Sequence, residues 1–190
     1  MKLRIFGYPL GGNLVAPQPL NNIVRVTVET LAAVLGGVQT IATSSFDEAY
    51  CLPSEEAVTV ALRTQQIIAH ETGVADVVDA LGGSYALEHI TTRLEQEVRG
   101  ILEQVETLGG AAACIEQGYF QKELSDAAYR KRKAIESGNK VMVGLNRFQN
   151  EDEEINIPVF KVDEETERRQ VQRLHDLRET RDAEAVEGTL

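Results

Sequence analysis

The chain has 190 residues, 43% of them hydrophobic, which suits one domain, or one domain plus a tail, with a core of its own. Its 19 Lys and Arg against 30 Asp and Glu give a net charge of -11, which argues against a general nucleic-acid or membrane-surface binder, since both partners are anionic. The two cysteines, Cys51 and Cys114, lack CxxC spacing, so a zinc site or a disulfide framework is not indicated and two buried free thiols are expected.

Residues 3 to 8 read as a short strand, and residues 9 to 20, rich in Pro and Gly, as a loop. Asn21 or Asn22 can cap a helix, because the amide oxygen accepts from the first free backbone N–H groups. Val24, Val28, Leu31 and Leu35 follow at helical spacing, and Gly36-Gly37 stops the helix. Residues 38 to 43 have β character. Pro53 and Ser54 open a second helix, with Glu55 and Glu56 complementing its dipole, that runs to about His70 and stops near Gly73.

Residues 74 to 81 look like a third strand, broken by Asp76 and Asp79. Gly82-Gly83-Ser84 starts a long helix. Its apolar positions, Leu87, Ile90, Leu94, Val98, Ile101, Val105 and Leu108, step by three and four, which predicts one buried face. Gly109-Gly110 ends it. Two shorter helices are expected at about 111 to 117 and 121 to 136, then a last buried strand, Lys140-Val141-Met142-Val143-Gly144-Leu145. From Gln149 the composition turns acidic, with Glu151-Asp152-Glu153-Glu154. A charged helix with a thin Val171/Leu174/Leu177 stripe follows over about 163 to 182. The order of strands and helices predicts an α/β fold with parallel strands and right-handed crossovers. Three such units do not close a (β/α)₈ barrel, which takes about 250 residues.

The N-terminus lacks the apolar core of a secretory signal, and no apolar run approaches the ~20 residues that span a bilayer. A soluble cytoplasmic protein is the expectation. Asp47-Glu48 stands just past the second strand, where α/β folds bind ligands. Two readings fit: a carboxylate that binds ligand hydroxyls such as those of a ribose, or a surface capping pair. Gly82-Gly83-Ser84 either offers backbone N–H groups to an anion or simply caps a helix. His70-Glu71 begins like a zinc-protease HExxH, but residue 74 is valine, and His70, His89 and His175 share no ligand spacing. Arg130-Lys131-Arg132-Lys133 either meets a CoA phosphate or an acidic neighbour, or is a solvated face.

Several words taken together resemble the adenosylcobalamin-dependent acyl-CoA mutases, in particular the methylmalonyl-CoA mutase large subunit. They are Gln18-Pro19-Leu20-Asn21-Asn22-Ile23-Val24-Arg25, Leu31 to Gly37, Ser45-Phe46-Asp47-Glu48-Ala49 with Leu52-Pro53, Arg63-Thr64-Gln65-Gln66, Asp79 with Gly82-Gly83-Ser84-Tyr85, Leu108-Gly109-Gly110, and Val143-Gly144-Leu145-Asn146-Arg147-Phe148. The resemblance implies the last three βα units of a (β/α)₈ TIM barrel over residues 1–148 and a charged linker or docking helix over 149–190. It implies that Glu48 contacts the adenosyl part of adenosylcobalamin and that Gly11 lines the same cofactor. It also implies a radical carbon-skeleton rearrangement of an acyl-CoA. In the family the catalytic tyrosine, histidine and arginine lie upstream of the matching words, and the cobalamin-ligating Asp-x-His-x-x-Gly word is not found here. Ala42 and Ser44 stand where family members carry histidine and asparagine. The resemblance therefore implies a fragment or subunit without activity of its own, meeting acyl-CoA only in a complete assembly. The alternative is a non-catalytic interaction protein that joins another mutase subunit or self-associates.

Overall fold

The computed structural model describes residues 4–150, 157, 159–161 and 163–189; the acidic run at 151–154 lies outside them. The first strand, β1 (Phe6–Gly7), pairs in parallel with β2 (Thr40–Ile41), placing Phe6 beside Thr40 and Gly7 beside Ile41. Parallel neighbours need a crossover, and helix α1 (Asn21–Leu35) supplies it. Gly37, at φ 80°, ends α1 in the left-handed conformation that glycine alone adopts freely. Helix α2 (Glu55–Glu71) starts at Ser54, whose hydroxyl accepts from the Ala57 N–H at 3.2 Å. Glu55 and Glu56 lie in its first turn, where the dipole favours them.

Helix α1 packs on α2 and both touch the short 3₁₀ turn Val74–Asp76. Val26 and Thr30 of α1 and Ala57 and Ile68 of α2 are buried, and the Thr30 hydroxyl donates to the Val26 carbonyl. A second group of helices, α3 (Tyr85–Thr107), α4 (Gly110–Glu116) and α5 (Tyr119–Glu136), packs sequentially, with Val105 and Cys114 buried. Helices α6 (Glu164–Thr180) and α7 (Ala183–Glu187) follow, each started by an aspartate side chain, Asp163 and Asp182. The molecule is thus mostly helical, an α/β chain with a small parallel sheet.

Three expectations are corrected. Residues 74 to 81 form no strand: after the 3₁₀ turn, Asp79 sits at φ 53° and Val78 is 95% exposed, so among the described residues the β-prone valines have no neighbouring strand to pair with. Residues 140 to 145 form a tight turn instead of a buried strand. Gly144 there has φ 81°, its N–H donates to the Arg147 carbonyl at 2.8 Å, and a single bridge joins Val143 to Arg147. The apolar stripe of α3 is helical as expected but fully buried only at Val105. Leu87, Ile90, Leu94, Val98 and Ile101 are all exposed, because among the described residues no element packs over them.

That exposure is general. Prolines aside, only six apolar side chains are buried among the described residues. The accessible surface is 15038 Å², against about 9,000 Å² for a compact monomer of this mass. No helix among the described residues is long and apolar enough to cross a membrane.

Candidate functional site

The loop after β1 and the loop after β2 leave the sheet on the same side, since parallel strands end together. The first contains Gly11, at the start of a 3₁₀ turn, Gly11–Asn13. The second contains Ser44-Ser45-Phe46-Asp47-Glu48. A Cβ built on Gly11 would lie 3.0 Å from Glu48 Oε1 and 3.6 Å from its Cδ. Gly11 and Glu48 are therefore neighbours, and the absence of a side chain at 11 leaves room for the Glu48 carboxylate. Glu48 is half-buried, and the Tyr8 hydroxyl, just past β1, approaches its Oε2 at 3.5 Å.

Asp47 and Glu48 take opposite roles, as adjacent loop residues that point apart do. Asp47 is fully buried and its Oδ2 accepts from the Ser54 N–H at 2.9 Å, which ties the loop to the start of α2. Glu48 remains the carboxylate available to a ligand. The Ser44 hydroxyl donates to the Pro9 carbonyl at 3.3 Å, and the Tyr50 hydroxyl donates to the Ala16 carbonyl, so the two loops are laced together. Beside them lies a cleft of about 280 Å³ lined by Tyr8, Thr43, Ser45, Val58, Leu62 and Gln65, among others.

Asn22 does not cap α1. The helix begins at Asn21 behind Leu20, without a side-chain cap. Asn22 is buried inside it and bonds to both loops: its Nδ2 donates to the Val15 and Phe46 carbonyls, each at 2.9 Å. Asparagine beside a helix start reads first as a cap, so this role was not visible in the sequence. Tyr8 was also missed; its position at a strand end was the only signal for it.

Of the remaining sequence candidates, only the basic run reaches this place. At Gly82-Gly83-Ser84 the chain's own Glu88 takes the exposed backbone donor, with the Gly83 N–H at 3.4 Å from Glu88 Oε1. The three histidines are exposed, and no cluster of three metal-ligating side chains occurs among the described residues. Cys51 and Cys114 are free thiols, Cys51 half-buried and Cys114 buried. In the basic run, the Lys131 ammonium donates to the Gly12 carbonyl at 3.0 Å, and Arg132 pairs with Glu136 at 2.7 Å.

The family model for methylmalonyl-CoA mutase matches residues 1–190. The chain belongs to the methylmalonyl-CoA mutase family. It is 44% identical over its full length to the 2-hydroxyisobutanoyl-CoA mutase large subunit of Aquincola tertiaricarbonis, covering 34% of that protein. It is 38% identical to the methylmalonyl-CoA mutase of Rhizobium meliloti, covering 27% of it. It is 36% identical to the enzyme of Escherichia coli, again covering 27%. The chain thus spans between a quarter and a third of the length of these mutases. Within this family frame, Glu48 and Gly11 are the two positions at which ligand contact was expected, and they share one corner of the fold.

Proposed function

We propose that this chain supplies the adenosyl-facing part of a (β/α)₈ barrel in an adenosylcobalamin-dependent acyl-CoA mutase, and that it has no mutase activity by itself. The observation that supports this reading most directly is the 3.0 Å approach of Glu48 Oε1 to the space left by Gly11. It puts a half-buried carboxylate at the end of a parallel strand pair, beside a residue with no side chain. A ribose offers hydroxyl donors, and an ionised carboxylate is an acceptor-only group. The residues present therefore fit an adenosyl group: Glu48 would bind its hydroxyls, and Gly11, without a side chain, would leave the carboxylate room to stand there.

Adenosylcobalamin, when bound, supplies the radical chemistry of the rearrangement; the protein supplies orientation and exclusion of water. This chain's contribution to that division is orientation at Glu48. Water exclusion needs a closed site, and the 15038 Å² of accessible surface supports the view that other parts of a mutase close it. The segment 149–190 fits a charged linker or docking helix, since α6 is exposed along its length.

A second reading is a non-catalytic interaction protein that joins a mutase subunit or a second copy. The exposed stripe on α3 favours it. One experiment bears on both. The chain is assayed with adenosylcobalamin and methylmalonyl-CoA or isobutyryl-CoA, alone and after co-expression with a mutase polypeptide that holds the other barrel units. No turnover alone and co-purification with that polypeptide are expected. Turnover by the chain alone overturns the first reading, and a monomer that ignores the added polypeptide overturns the second.

A further inference from the structure

Gly11 and Glu48 lie on separate loops, so some group has to fix the distance between them. The Asn22 side chain is 0% exposed and uses its whole hydrogen-bonding capacity. Nδ2 donates to the carbonyls of Val15 and Phe46, at 2.9 Å each. Oδ1 accepts from the Val15 N–H at 3.2 Å and from Arg25 Nη1 at 2.7 Å. Val15 is at the end of the Gly11 loop, and Phe46 is two residues before Glu48. The partners also fix which way the amide points. Two of them are donors and two are acceptors, so only a group with both an oxygen and an NH₂ satisfies all four. Aspartate lacks the donors and leucine lacks everything. Arg25 extends the tie, because its Nη2 donates to the Val143 carbonyl at 2.7 Å.

The geometry points to Asn22 as the positioning residue of the site: it clamps the Gly11 loop to the Glu48 loop and thereby sets where the carboxylate stands. Its bearing on cofactor binding rests on the reading of Glu48 given above. The Ser44 and Tyr50 hydroxyls also join the two loops, and Asn22 holds both at once from within α1. A fully satisfied buried amide specifies one arrangement, since any slip leaves a polar group unpaired.

The test uses the full chain, with amide hydrogen exchange read segment by segment and 5′-deoxyadenosine as the binding probe. Asn22→Asp keeps the acceptor and removes both donors. Exchange over 13–16 and 45–50 is expected to speed up by about tenfold or more, with α3 to α5 unchanged. Affinity for 5′-deoxyadenosine should fall by a comparable factor. Asn22→Ser, which keeps one donor, should give a smaller change of the same pattern, and it carries the test if the aspartate variant does not fold. Equal acceleration through all helices, or none in the two loops, overturns the proposal. Glu48→Gln separates the two ideas. If it leaves nucleoside affinity unchanged, the reading of Glu48 fails, while the exchange pattern still decides the role of Asn22.

Discussion

Urea unfolding of the isolated chain should give a shallow transition. The slope of stability against denaturant follows the surface exposed on unfolding. An unfolded chain of 20.9 kDa presents about 30,000 Å². With 15038 Å² still accessible in the folded state, only about half of that is buried, compared with about 70% for a compact chain of this size. The slope is therefore expected at about 0.7 of the value for a compact protein of equal length. Circular dichroism at 222 nm and a probe at the α1–α2 contact both report the transition. Adding a polypeptide that covers the apolar faces should restore the missing slope. A slope equal to that of a compact protein, measured on the chain alone, would refute the reasoning, because it would mean that stripes such as Leu87 to Ile101 are covered without a partner.

Gly11→Val places a branched side chain where a Cβ already meets Glu48 Oε1 at 3.0 Å. Gly11 is not left-handed, so the backbone tolerates the change. Affinity for 5′-deoxyadenosine should drop about tenfold, or ~1.4 kcal/mol, by calorimetric titration, with the melting temperature nearly unchanged. Ser54→Ala removes the cap of α2 and should cost about 1 kcal/mol in urea unfolding; a neutral result would deny the cap its role. The Glu136 carboxylate beside Arg132 raises the pKa of that guanidinium through a hydrogen bond and charge attraction. A raised pKa gives stability that is lost only as pH climbs past the ordinary arginine range, so no dependence is expected near neutrality. Both side chains are exposed, and Glu136→Gln should leave the melting temperature and its pH profile unchanged.

The helices were legible in the sequence because each carries its own signal. Val24 to Leu35 repeats at helical spacing and ends on Gly37, and Ser54 with Glu55 and Glu56 marks the start of α2. The strands were less so. Val74, Val77 and Val78 have strand-forming side chains, but strand propensity expresses packing against a neighbour, and among the described residues none stands beside them. Val141 to Leu145 failed for a local reason: Asn146 Oδ1 accepts from the Met142 N–H at 2.7 Å and closes a turn that the apolar run concealed. At the site, Glu48 and Gly11 were nameable from their resemblance to a family, while their contact required the fold. The role of Asn22 was illegible, since a buried asparagine inside a helix and a capping one look alike in a string of letters.

Three hydrogen bonds join the start of the chain to its far end: Lys131 to Gly12, Arg25 to Val143, and Gln18 to Phe148, across 119, 118 and 130 residues. Their consequence is one of timing. At the usual rate of protein synthesis, the loop that carries Gly11 is made about 6 to 24 s before Lys131. Contacts of such sequence separation also close slowly, because the entropy of the intervening loop is lost before any contact compensates it. The strand pair and α1 can form early, but the final bracing of the site waits for the last third of the chain. The corner that holds Glu48 is thus finished late, although its own residues are translated well before the ones that brace it.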